Sequence, residues 1–140
     1  YSNVNLSSGI APIRKLIERN IPIGLGSDIS GGHIVSMAKI LTEAIGLSKM
    51  KWAEVDPNYA PLTLSEAFYM ATKGGGQFFG HVGSFEKGYE LDALIIDDTS
   101  LFDLNERSLE ERLERWLYVG DDRHIIERYV AGRVVPSPKG

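Results

Sequence analysis

The stretch that most constrains this chain runs from Ile21 to His33, I-P-I-G-L-G-S-D-I-S-G-G-H. Ile21, Ile23 and Leu25 are apolar at period two, the strand period, while Gly24 and Gly26 carry no side chain and admit close approach of another backbone. Beyond Ser27 the pattern changes. Gly31 and Gly32 permit a tight reversal, and from His33 the residues Ile34, Met37, Ala38, Leu41, Ala44 and Ile45 follow helical spacing. The reading is a buried strand over Ile21 to Leu25, an acidic glycine-rich turn, and a helix from about Ile34 to Ser48. Asp28 stands where the strand runs out, and in parallel α/β architectures ligands bind beyond the carboxyl ends of the strands. Position and residue type leave two roles open for it. It is a functional carboxylate, or else Asp28 or Ser30 caps the following helix through backbone N–H groups.

The flanking sequence extends an α/β pattern. Ser7 and Ser8 precede Ile10, Ile13, Leu16 and Ile17 on one helical face, which predicts a helix over Gly9 to Arg19 with Pro12 tolerated in its first turn. Lys49 to Pro61 reads as a loop around Pro57 and Asn58. Thr63 with Glu66 then forms a capping box, and Leu64, Ala67, Phe68 and Ala71 give the apolar face of a helix closed by Lys73 and Gly74 to Gly76, with a short helical turn at Gln77 to Phe79. His81 to Glu90 has the glycine spacing of turns between short strands, and Asp92 to Asp97 is a compact apolar strand. After a loop at Thr99 to Asn105, Ser108 and Glu111 make a second capping box before Leu109, Leu113, Trp116 and Leu117; Gly120 stops that helix. Ile125 to Val130, Ala131-Gly132 and Arg133 to Val135 predict a hairpin, followed by the breaker-rich tail P-S-P-K-G. A single strand cannot make a parallel sheet, so the strand at Ile21 needs neighbours that this pattern does not supply.

Composition narrows the chemistry. The chain has 140 residues, about one domain by length, with 19 acidic and 15 basic residues for a net charge of −4. No basic run tracks a phosphate backbone, so no nucleic-acid partner is expected. No apolar stretch approaches the ~20 residues of a membrane span, and the sequence opens at Tyr1 in polar residues without a signal-type segment, so no membrane partner is expected either. There is no cysteine, which excludes disulfides and thiolate metal sites and fits a cytoplasmic location. The glycine-rich turn has the wrong spacing for a dinucleotide or P-loop cradle, and its own carboxylate repels phosphate. Ser27, Asp28 and His33 include triad residue types, yet no G-x-S-x-G elbow occurs. A hard carboxylate oxygen at Asp28 suits metal ligation, but one ligand is not a site. His33, His81 and His124 lie far apart without H-x-H or H-E-x-x-H spacing and read as surface or hydrogen-bonded turn histidines. The pairs Asp97-Asp98 and Asp121-Asp122 are adjacent rather than facing, which suits loops better than acid–base chemistry.

Several stretches together resemble one family. S-N-V-N-L-S-S-G at Ser2 to Gly9, G-L-G-S-D-I-S-G-G at Gly24 to Gly32 and A-T-K-G-G-G at Ala71 to Gly76 are similar to segments of the metal-dependent amidohydrolase superfamily. G-S-F-E-K-G-Y-E-L-D-A-L-I-I-D at Gly83 to Asp97 resembles the return from its barrel into a small β domain. L-Y-V-G-D-D-R-H-I at Leu117 to Ile125, with Y-V-A-G-R-V-V, resembles the guanine deaminases within it. The resemblance implies the C-terminal part of a (β/α)8 barrel, with the last barrel strand and flanking helices in residues 1–80 and a small β-domain portion with one helix in residues 81–140. It implies that Asp28 is the strand-end aspartate that ligates a catalytic zinc and takes the proton of the attacking water, as guanine is hydrolysed to xanthine and ammonia. Asp28 alone carries over. The remaining ligands and the proton shuttle belong to segments outside these residues, so the chain by itself is expected to bind no zinc, to be inactive, and to self-associate or lose order near Tyr1 to Gly32. The resemblance further implies a homodimer for the full-length enzyme. Two alternatives stay open: part of another amidohydrolase, a different purine or pyrimidine aminohydrolase or a chlorohydrolase-like enzyme, or a non-catalytic binding domain.

Overall fold

The computed structural model describes residues 1–101 and 103–136. Helices dominate the first part: α1 Ser2–Asn5, α2 Ile13–Glu18, α3 Met37–Glu54, α4 Leu64–Ala71 and α5 Lys73–Gly76. Strand β1 (Ala93–Ile96), helix α6 (Leu109–Val119), a 3-10 turn at Asp122–His124, and strands β2 (Ile125–Val130) and β3 (Arg133–Val134) follow. The breaker-rich tail at Ser137 to Gly140 lies outside the described residues.

Helix α3 is the hub. Its Leu41 and Ile45 bury against Leu62, Ala67 and Met70 around α4 and against Trp116 and Leu117 of α6. A fully buried Leu or Ile contributes roughly 1.5–3 kcal/mol by removal from water, so this cluster is the main apolar contribution. Ser48 is buried among them with both hydrogen-bonding roles used, donating to the Ile45 carbonyl (2.7 Å) and accepting from Leu62 N–H (2.9 Å).

Both expected capping boxes form, at Thr63 with Glu66 and at Ser108 with Glu111. Strand β1, helix α6 and the terminal hairpin also form where expected. β1 pairs antiparallel with β2 from Ala93 opposite Tyr129 to Ile96 opposite Ile125, and β2 turns through Ala131 (φ 49°) and Gly132 (φ 74°) into β3. Two consecutive left-handed residues give the turn whose twist matches a hairpin.

Other boundaries move, each for a physical reason. Helix α2 starts at Ile13 instead of Gly9, because Gly9 sits at φ 84°, a value no right-handed helix contains. The S-N-V-N segment forms a helical turn where only polar sequence was read. Helix α3 starts at Met37 and runs on to Glu54, beyond the expected end at Ser48. Lys49 to Glu54 are good helix formers, and the first real obstacle is Pro57, which disfavours helical backbone at the residue before it. The helical turn expected at Gln77 to Phe79 lies at Lys73–Gly76, following a break at Thr72 (φ −123°, ψ −101°). No strand forms in 81–90. That loop is closed by Glu90 N–H donating to the His81 carbonyl (2.8 Å), and is tied to α5 by a Lys73–Glu86 ion pair (2.6 Å).

The largest correction concerns Ile21 to Leu25, which make no strand pairing. A strand is a ladder, and among the described residues no other strand lies alongside to supply one. The segment is instead held by side chains and by α5. Ile23 and Leu25 pack on the core cluster, Leu25 N–H donates to the Met70 carbonyl (3.0 Å), and a Cβ built on Gly24 would stand 2.8 Å from the Gly75 Cα. The glycines at Gly24 and Gly75 therefore allow two backbones to touch. On the outer side of the segment an open apolar trough is lined by Ile23, Leu25, Phe68, Phe78 and Phe85.

Candidate functional site

Asp28 emerges at the end of that segment, exposed and in the left-handed region at φ 44°. Asp tolerates this conformation better than most residues, yet it costs about 1 kcal/mol or more, which the local bonding must offset. Gly32 N–H donates to the Asp28 carbonyl (2.7 Å), and Ser30, itself at φ 88°, donates its N–H back to the Gly32 carbonyl (3.1 Å). The carboxylate folds over Gly31, where an added Cβ would lie 2.6 Å from Asp28 Oδ2. Asp28 therefore needs Gly31 beside it.

Helix α1 lies against the other side of the turn. Asn5 Nδ2 donates to the Gly31 carbonyl (2.8 Å), the Tyr1 and His33 rings meet edge to face at 4.8 Å, and a Cβ on Gly32 would stand 3.2 Å from the Ser2 nitrogen. The capping role left open for Asp28 and Ser30 does not occur. Ser36 is the N-cap of α3, and no side chain caps that helix. Among the described residues the Asp28 carboxylate has no hydrogen-bond partner, so it is a free acceptor presented to solvent.

The three histidines do not join it. His33 contacts Tyr1, and His81 stacks on Tyr89 at 5.3 Å. His124 is buried at 9% exposure in the 3-10 turn, a hydrogen-bonded turn histidine as expected. Its surroundings mimic a hydrolase triad, with Ser100 Oγ 3.2 Å from Nε2 and Asp121 Oδ1 3.3 Å from Nδ1. Nδ1 is held by the main chain of Asp121, whose N–H lies 3.2 Å and whose carbonyl oxygen 3.3 Å from it, so the ring is fixed as part of the turn. Asp121 itself is engaged by Arg123, whose guanidinium holds the carboxyl well below the usual range. Asp97 and Asp98 are likewise spoken for, by Thr99 and by the Arg112 guanidinium.

Among the described residues no three His, Asp or Glu side chains converge in a way that could hold a metal ion. The described residues therefore supply too few donors to complete a zinc site, which takes at least three protein ligands. They offer it one carboxylate. Also among the described residues, no helix is long and apolar enough to cross a membrane.

Sequence and fold comparisons agree with this anatomy. The pattern of the Amidohydrolase family matches residues 1–135, and the chain belongs to that family. Within it the similarity runs to guanine deaminases. The guanine deaminase of Dictyostelium discoideum is 38% identical over 141 residues, covering 96% of this chain and 31% of that protein. The crystal structure of guanine deaminase from C. acetobutylicum with guanine bound in its active site matches with a TM-score of 0.90 at 53% identity, covering 96% of this chain and 32% of that one. E. coli guanine deaminase matches with a TM-score of 0.82 at 32% identity, over 99% of this chain and 33% of that one. The chain thus spans about a third of the length of the relatives it matches, and its α/β architecture is that of part of the (β/α)8 hydrolases of this family.

Sequence reasoning singled out Asp28 and left two features of its surroundings unread. Asn5 was one, because a polar residue in a short polar segment carries no periodic signal. The Gly24–Gly75 contact was the other. Its two glycines were noted separately, and only their pairing in space joins them.

Proposed function

We propose that the whole protein carrying this chain is a guanine deaminase and that Asp28 is its strand-end catalytic carboxylate. The observation that carries the reading is the placement of Asp28: an exposed acceptor with no hydrogen-bond partner among the described residues, at the end of an extended segment, in a chain that matches a guanine-bound deaminase at 53% identity over 96% of its length. The reaction adds water across C2 of guanine. Oxygen bonds to C2 as the C2=N3 bond becomes single, Asp28 accepts the proton released from the water, an acid outside these residues protonates N3 and then the exocyclic amine, and the bond from C2 to that amine breaks as the C2 hydroxyl gives up its proton, releasing ammonia and leaving xanthine. Zinc, the metal we assign, would supply polarisation of the water when bound. Asp28 would be one of its ligands, with the others outside these residues, so the 140-residue chain alone is expected to hold no zinc and to leave guanine unchanged. We assign residues 1–80 to the barrel and residues 81–140 to the adjoining β domain.

The test uses the whole protein. Guanine loss is followed by absorbance, and bound metal by elemental mass spectrometry, for the native enzyme and for Asp28→Ala. Expected are chelator-sensitive turnover in the native enzyme and, in the variant, loss of turnover by at least about a thousandfold with reduced zinc content. Native turnover in Asp28→Ala, or a native protein that does not consume guanine, overturns the proposal.

A further inference from the structure

We infer that Asn5 is a positioning residue for Asp28, an inference that rests on the catalytic reading of Asp28 given above. The two limbs of the turn are held very differently. The incoming limb is fixed by main chain, through Gly24 seated on Gly75 and Leu25 N–H on the Met70 carbonyl (3.0 Å). In the outgoing limb Ile29 and Ser30 are exposed and Gly31 is half-buried, with Ser30 in the strained left-handed region at φ 88°. What ties it to another element by a side-chain hydrogen bond is the Asn5 amide on the Gly31 carbonyl, at 2.8 Å.

Gly31 is also the residue over which the Asp28 carboxylate folds, its Cβ position 2.6 Å from Oδ2 and 3.3 Å from Leu6 Cδ1. The floor under the carboxylate is thus the peptide that Asn5 grips. Release of that peptide lets two left-handed residues relax toward ordinary backbone, and the carboxylate moves with them. Asn5 reaches neither water nor base in this reaction; it acts through Gly31. A misplacement of about 1 Å in a reacting group is enough to lower turnover by roughly a hundredfold while leaving substrate binding nearly intact.

The experiment compares Asn5→Ala, Asn5→Gln and Asp28→Asn in the whole enzyme, measuring kcat and KM for guanine, the melting temperature, and hydrogen exchange across Ser27 to Gly32. Asn5→Ala is expected to lower kcat roughly ten- to a hundredfold with KM within about twofold, and to speed exchange of the Gly32 amide, with α3 and α4 unchanged. Asn5→Gln keeps the donating amide on an exposed, flexible stem and is expected to recover most of kcat. Native kcat in Asn5→Ala beside an inactive Asp28→Asn overturns the positioning role and leaves the catalytic reading standing. Equal losses in Asn5→Ala and Asn5→Gln also overturn it, since the donor would then be irrelevant. An active Asp28→Asn overturns both.

Discussion

Replacing Glu66 by Gln tests how α2 and α4 are joined. The Glu66 carboxylate accepts from Arg14 Nη1 (2.5 Å) and Nη2 (2.7 Å), from Thr63 N–H (2.9 Å) and from Thr63 Oγ1 (3.1 Å). Arg14 also donates to the carbonyls of Ala60 (2.6 Å) and Pro61 (2.7 Å), so one guanidinium binds the loop and the helix start together. The arginine lowers the Glu66 pKa from 4.5 to about 2. Read as linkage, that difference corresponds to at most ~3.4 kcal/mol at neutral pH. The Glu66 side chain is 35% exposed and that of Arg14 18%, so solvent screening reduces the value, and we expect a loss of about 2 kcal/mol in Glu66→Gln. Because the folded-state pKa is depressed, the contribution is complete above pH ~4.5 and disappears as pH falls toward about 2. Urea unfolding of the whole protein and of the variant at pH 7, 5 and 3.5 checks this. The gap between them should be widest at pH 7, nearly as wide at pH 5, and clearly narrower at pH 3.5. A gap below ~0.5 kcal/mol at pH 7, or one that persists undiminished at pH 3.5, would show that the ion pair does not join the two helices in this way.

Two further substitutions probe backbone geometry. Gly120→Ala would drive a methyl into the Trp116 ring and to 2.6 Å from the Trp116 carbonyl oxygen, so thermal unfolding should show a loss of about 2 kcal/mol or more. Ala131→Asn keeps the hairpin turn but places at φ 49° a residue suited to the left-handed region, and should raise stability by roughly 0.5–1 kcal/mol in the same assay, whereas a loss would count against the turn geometry.

What could be read from the sequence was what is decided locally. Thr63 with Glu66 and Ser108 with Glu111 are three residues apart, so their capping boxes are complete within one helical turn. The strand at Ala93–Ile96 and the hairpin through Ala131-Gly132 were equally legible, since a compact apolar run bounded by acids and turn chemistry act over a few residues. Arg14 was not. Its partners Ala60, Pro61 and Glu66 lie in another element, and an arginine on a polar helix face looks the same whether or not it finds them. Ile21 to Leu25 failed in the opposite direction, because period-two spacing reports a capacity to pair and not the presence of a partner.

The candidate site divides along the same line. The place of Asp28 after an apolar run, in a glycine-rich turn, was legible, while the contacts that α1 and α5 make with that turn were not, being contacts between segments. That support has a consequence for how the carboxylate is held. Gly24 on Gly75, Leu25 on Met70 and Asn5 on Gly31 all lie within these residues. These contacts hold the turn, so a ligand completing the site would meet Asp28 with its backbone already constrained. Pre-positioning of this kind removes an ordering cost from binding. It also explains why a strained φ of 44° at Asp28 and 88° at Ser30 can persist on an exposed turn: the incoming segment packs on the core, and the turn is hydrogen-bonded between Asp28 and Gly32 and to Asn5, which offsets the strain.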